Sequence, residues 1–118
     1  QSLQKRLAGF VRLPRYVRTI FMKDQKLNKE DLFNLVNRDV VELINAEKTY
    51  GNSWKQRGGV GAFMMLARKW DRIENQVKEH NWDVFKALEK DRDPEGLLDD
   101  IRDLRCYLLL VDNFINKL

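Results

Sequence analysis

The chain is poor in the residues that staple or interrupt small folds. One cysteine among 118 residues, Cys106, excludes an internal disulfide, and with a single histidine, His80, there is no Cys/His set for zinc. Cys106 has no evident base beside it, so a small buried hydrophobe is the expected reading rather than a nucleophile. Two prolines and six glycines leave room for long uninterrupted helices. No apolar run approaches the roughly 18 residues that would span a bilayer, and no short apolar stretch ends in a small-residue cleavage site. These absences point to a soluble protein of a reducing compartment, the cytoplasm. What is present fits one globular domain over residues 1–118, with 43% apolar and 34% charged residues.

The formal net charge of +4 is unevenly spread. Lys5, Arg6, Arg12, Arg15, Arg18, Lys23, Lys26 and Lys29 face only Asp24 and Glu30 in the first thirty residues. The remainder is slightly acidic. A basic end on a near-neutral body suits an anionic partner, and nucleic acid is one candidate.

Apolar spacing predicts an all-α fold, a compact bundle of about five helices with a kinked basic N-terminal helical segment. Residues 2–22 carry Leu3, Leu7, Phe10, Val17 and Phe21 at helical spacing, divided near Pro14. Residues 1–27 therefore read as a basic helical extension on a core of residues 28–118. Asn28 is an N-cap answered by Asp31, and Gly51 supplies the stop for a helix ending near Tyr50. Its stripe is Leu32, Leu35, Val36, Val40, Leu43 and Ile44. Residues 54–61 read as a loop with a flexible Gly58-Gly59-Val60-Gly61 end. A helix follows over about 62–79, with Phe63, Leu66, Trp70, Ile73 and Val77 on one side. Asn81 is expected to cap a short helix ending near Glu89. Asp93 should cap the last helix, with Pro94 in its first position, running toward Leu118. Residues 106–111 are apolar all round and are expected at the bundle centre.

Acids on faces that ought to be apolar carry the functional signal. Helical steps of about 100° put Asp39 and Glu47 near the centre of the 28–50 stripe and Glu42 at its edge. On the last helix Asp100 and Asp103 lie one turn apart, with Tyr107 a turn further on. A buried carboxylate needs a cation, a metal or a watered cleft. Carboxylates spaced i, i+3 on two facing helices can share magnesium. Plain salt bridges to Arg68, Arg72, Arg102 or Arg105 are the simpler account, and the helix dipole alone accommodates Asp99 and Asp100. Lys55, Arg57, Arg68, Lys69 and Arg72 flank the glycines, where phosphate could meet basic side chains and helix amides. Tyr50 and Trp54 stand beside them, suited to stacking on a base or to hinge packing.

Residues 45–75, NAEKTYGNSWKQRGGVGAFMMLARKWDRIEN, together with LLDDIRDLRCYLLL at 97–110, resemble the phage and bacterial nucleotide modification-associated domain. The pattern is a K-x-YG-x-x-W turn (Lys48, Tyr50, Gly51, Trp54), a helix with K-x-x-R (Lys69, Arg72), and a D-x-x-D helix that turns apolar (Asp100, Asp103). The resemblance spans roughly residues 30–115. That family is distantly similar to the MazG-like all-alpha nucleoside triphosphate pyrophosphohydrolases. It implies a metal set of Asp39, Glu42, Asp100 and Asp103 holding magnesium for attack by water on a nucleoside triphosphate, ordinary or modified. It also implies a nucleotide site of Tyr50, Trp54, Lys55, Lys69 and Arg72, and a homodimer. Both leading acids are Asp where the enzymes carry Glu, and Arg38 stands where they carry an acid. These departures suit a second reading, a non-catalytic phage protein that sequesters a nucleotide such as a host immune signal. A nucleic-acid or protein-binding module using the basic N-terminus is the third.

Overall fold

The computed structural model describes residues 2–93 and 95–118, and the fold is an all-α helical bundle. Among the described residues there are six α-helices, α1 (Leu3–Arg12), α2 (Arg15–Asp24), α3 (Lys29–Tyr50), α4 (Gly58–Lys78), α5 (Val84–Lys90) and α6 (Leu97–Ile115). A 3-10 turn, Ser53–Lys55, joins α3 to α4. None of the described helices is long and apolar enough to cross a membrane.

The N-terminal segment is two helices, because Leu13 is extended before the ring of Pro14 and α2 restarts behind it. The apolar face of α1 is satisfied within the chain. It lies on α5, with Phe10 edge-on to Phe85 at 5.3 Å between ring centroids and Phe10 against Phe21 at 5.8 Å. Arg18 of α2 reaches the carboxylate of Asp83 at 3.6 Å.

At the start of α3 the Asn28 side chain accepts from the amide of Asp31, as its cap position requires. Gly51 ends the helix with φ of 56°, a left-handed turn that a Cβ would oppose. Five expectations are corrected beyond this point. Gly58-Gly59-Val60-Gly61 is not a flexible loop end, since α4 begins at Gly58 and the 3-10 turn packs directly on it. Asn81 does not cap α5. It and Trp82 are themselves left-handed, with φ of 57° and 64°, and Asp83 caps instead, accepting from the amides of Phe85 and Lys86 at 3.1 Å each.

Nor does Asp93 cap α6. It closes the preceding turn by accepting from the Glu95 amide, while Pro94 lies outside the described residues. The helix starts at Leu97, and its first amide is met from six residues upstream by Asp91 Oδ2 at 2.7 Å. Gly96 makes that approach possible, because a Cβ there would sit 2.5 Å from both Asp91 carboxylate oxygens.

The core forms where α4, α5 and α6 converge. Ile73, Ala87 and Leu97 are its buried residues, with Val77, Val84, Leu88, Ile101 and Leu104 packed around them. Phe63 and Trp70, expected on the inner side of α4, face outward. The side of α4 that meets α6 carries Lys69, Arg72 and Gln76, with Ile73 in the core between them. The second half of α6 is likewise not the bundle centre. Cys106 is buried, but Leu108 and Ile115 are exposed, because helices cover only part of its circumference. The radius of gyration is 16.7 Å, against about 13.5 Å for a compact chain of this length.

Gly96→Ala is expected to displace Asp91 and cost about 1–2 kcal/mol, the range for a lost helix cap. In an Asp91→Ala background the same change should cost much less, since the cap is already gone. Urea unfolding of the two single variants and the double variant measures this.

Candidate functional site

Asp100 sits in the first turn of α6 and is fully buried, at 0% exposure. The helix dipole and free amides there favour a negative charge, but an uncompensated carboxylate at this depth would cost several kcal/mol. The compensation comes from one face of α4, at positions spaced three and four apart. Arg72 Nε lies 3.0 Å from Oδ1, Lys69 Nζ 3.7 Å from Oδ1, and Gln76 Nε2 donates to Oδ2 at 3.0 Å. The Arg72 contact is a charge contact without hydrogen-bond alignment, which leaves Oδ1 formally unpartnered. Lys69 also reaches Asp103 Oδ2 at 2.8 Å. Burial works to lower the Lys69 pKa, but the hydrogen bond and charge of Asp103, with the charge of Asp100, override it and leave it raised. Asp99 beside them is raised, first by burial and then by the negative charge of Asp103.

The second buried acid is Asp39, at 3% exposure, halfway along α3. Arg105 of α6 grips it with two parallel hydrogen bonds, from Nε to Oδ2 and from Nη2 to Oδ1, the latter at 2.8 Å. That hydrogen bond holds the Asp39 carboxyl below the ordinary aspartate range, against the opposing pull of burial. The same pair raises Arg105.

These pairs decide what the predicted metal residues can do. Asp39, Glu42, Asp100 and Asp103 are not assembled as a metal set. Asp39 belongs to Arg105, Asp100 and Asp103 share Lys69, and Glu42 is exposed, as is Glu47. Among the described residues no three His, Cys, Asp or Glu side chains gather to hold an ion. The donor set does not fit magnesium, because each buried carboxylate already faces a fixed cation of the same chain. Arg72 and Lys69, expected to meet phosphate, are the cations so used. Arg102 adds a favourable charge near Asp39. The salt-bridge account of these acids is the one the geometry supports.

The other predicted nucleotide residues do come together. Tyr50, at the end of α3, is 69% exposed. With Asn52, Ser53, Lys55, Gln56 and Phe114 it lines an open hollow of about 510 Å³. Trp54 lies behind, edge-on to Phe114 of α6 at 5.9 Å between centroids. Lys55 Nζ stands 4.5 Å above the Phe114 ring and 5.9 Å from that of Trp54, held by both rings. Sequence reasoning missed Phe114, which is sixty residues from the turn and carries no motif of its own.

Cys106 lies against Asp39, and burial followed by that negative charge pushes its thiol up to about 12. It is no nucleophile at neutral pH. His80 is half-buried in the turn after α4. Comparison with protein-family models, with curated proteins and with solved structures finds no match to this chain.

Two outcomes are expected. Arg105→Met strands the Asp39 charge and should cost about 2–3 kcal/mol at pH 7, below the usual buried-pair range because Arg105 is partly solvated. Since the pair lowers the Asp39 pKa, its contribution is complete above the ordinary aspartate range and fades as the pH falls through the folded value. The gap between the native chain and the variant should therefore close below about pH 4, as urea unfolding at pH 7 and pH 3 will show. Cys106 should stay unlabelled by a thiol reagent at pH 8 and react stoichiometrically once the chain is unfolded.

Proposed function

We propose that this chain binds a nucleotide without hydrolysing it, in the hollow beside the YG-x-x-W turn. The observation that carries the reading is the convergence of Tyr50, Lys55 and the side-chain amides and hydroxyl of Asn52, Gln56 and Ser53 on one open surface. An exposed tyrosine ring stacks on any base. A lysine held over two aromatic rings supplies a positioned cation for phosphate at little further entropic cost. Asn52 and Gln56 offer donors and acceptors for a base edge or ribose. Trp54 is assigned the supporting role of orienting Phe114 and Lys55. Lys69 and Arg72 are given no phosphate contact, because Asp100 and Asp103 hold them. The resemblance to the nucleotide modification-associated domain supports the same ligand class. The neutralised acids favour storage over metal-assisted hydrolysis.

Titration with ordinary, modified and cyclic nucleotides, followed by Trp54 fluorescence in a chain whose other two tryptophans carry Trp70→Phe and Trp82→Phe, tests this. Binding should be indifferent to magnesium, and Tyr50→Ala should weaken it about tenfold, the value of one lost stacking contact. Ligand released by heat should be chemically intact. Absence of binding across the panel would remove the reading. Pyrophosphate release that requires magnesium would return the chain to the catalytic class.

A second reading rests on a separate groove of about 320 Å³ between α1 and α5. It is lined by Lys5, Arg12, Lys90 and Arg92, with Gln4, Ala8 and Glu89. Four cations against one carboxylate suit a nucleic-acid backbone. Lys5→Glu with Arg12→Glu should abolish any binding to short duplex DNA or RNA that weakens steeply with salt. The substitutions are preferable to removing residues 1–27, because α1 covers Phe85 of α5.

A further inference from the structure

The described residues bury little apolar surface, and much of what remains outside lies on α3. Leu32, Phe33, Val36, Val40, Val41 and Ile44 are each between 44% and 59% exposed. The inner face of α3 is a different one, with half-buried Leu35 and Leu43 flanking Asp39. A 22-residue helix thus offers two apolar faces and has only one covered. Isolated helices depend on packing rather than propensity, so the second face calls for an occupant. Phe33, Val36, Val40 and Ile44 form its central row, a run of exposed apolar side chains along one side of the helix.

The charges at the ends of that row identify the occupant. Lys29 and Glu47 are eighteen residues apart, which is five full helical turns, so they share one direction, between those of Val36 and Val40, at the two ends of the row. Glu30 and Lys48 are also eighteen apart and lie about 100° further round, on the edge beyond Ile44. All four are exposed, and none forms an ion pair among the described residues. When two identical helices pair antiparallel about a two-fold axis, each line of residues along the contact face meets its own counterpart running the other way. Lys29 then faces Glu47 of the second copy, and Glu30 faces Lys48. Both pairs occur twice. The same register, centred between residues 38 and 39, sets Phe33 against Ile44 and Val36 against Val40 and Val41. Arg38 and Asp39 point off this face.

We infer that α3 is the self-association element of this protein, pairing antiparallel with α3 of a second copy through Phe33, Val36, Val40 and Ile44 and closing at both ends with Lys29–Glu47 and Glu30–Lys48. The inference is independent of what the Tyr50 hollow binds. A partner of another kind would have no reason to match a charge pattern that is complementary to itself.

Sedimentation velocity on the full chain, from micromolar concentrations upward, should give twice the 14.1 kDa chain mass. Val40→Glu sets two like charges at the centre of the pair and should weaken association at least about a hundredfold, with helix content by circular dichroism unchanged. A mixture of Lys29→Cys and Glu47→Cys chains should cross-link with a short bis-maleimide, while Lys29→Cys alone should not. Cys106 is buried and does not compete. A monomer at every concentration overturns the inference. So does a dimer that tolerates Val40→Glu, a dimer lost on Phe63→Ser in α4, or cross-linking of Lys29→Cys to itself.

Discussion

The fold turns on a carboxylate with no access to water. Asp100 is placed at the amino end of α6, where the helix itself favours a negative charge, and α4 supplies Lys69, Arg72 and Gln76 from a single face to complete its surroundings. That requirement sets the rotation of α4. Once Lys69 and Gln76 must point at α6, Ile73 between them joins Leu97 in the core, while Phe63 and Trp70 are left exposed. A second carboxylate repeats the arrangement for α3, where the paired hydrogen bonds between Asp39 and Arg105 select which side of the helix touches α6. Buried ion pairs add little net stability, yet leaving one half unpaired is costly. Here they select helix orientation.

The same economy of charge separates structure from function. Acids and bases that resemble a magnesium-dependent hydrolase in their spacing neutralise one another across the α4–α6 and α3–α6 contacts. The aromatic turn after α3 is different. Among the described residues no salt bridge reaches Lys55, which rests on Phe114 and Trp54, and Tyr50 is exposed. A surface that is aromatic, cationic and amide-bearing fits a flat anionic ligand, and it stands at the C-terminal end of the helix whose second apolar row is exposed.

Much of the local structure was legible. The division at Pro14, the Asn28 cap and the Gly51 stop follow from backbone chemistry that acts within four residues, and the sequence carries it openly. The burial of Asp39 was also legible, because the residue lies between Leu35 and Leu43 on a helical wheel. The start of α4 was not, since three glycines in four residues argue for a loop until the packing of the 3-10 turn is known. The Asp91 cap of α6 was hidden for a similar reason, being made from outside the usual capping position and permitted only by the missing side chain of Gly96.

The sequence by itself determined the helical class, most helix limits, the basic amino-terminal end and the presence of acids that could not be left bare. Periodicity and capping are local properties, so one chain's order of residues suffices for them. Only the tertiary structure decided which cation answers each acid, which apolar row of α3 is turned outward, and that Phe114 joins the turn at Trp54. Those are matters of rotation about helix axes and of contact between distant segments. A difference of one residue step, about 100° around the helix, exchanges an inner face for an outer one.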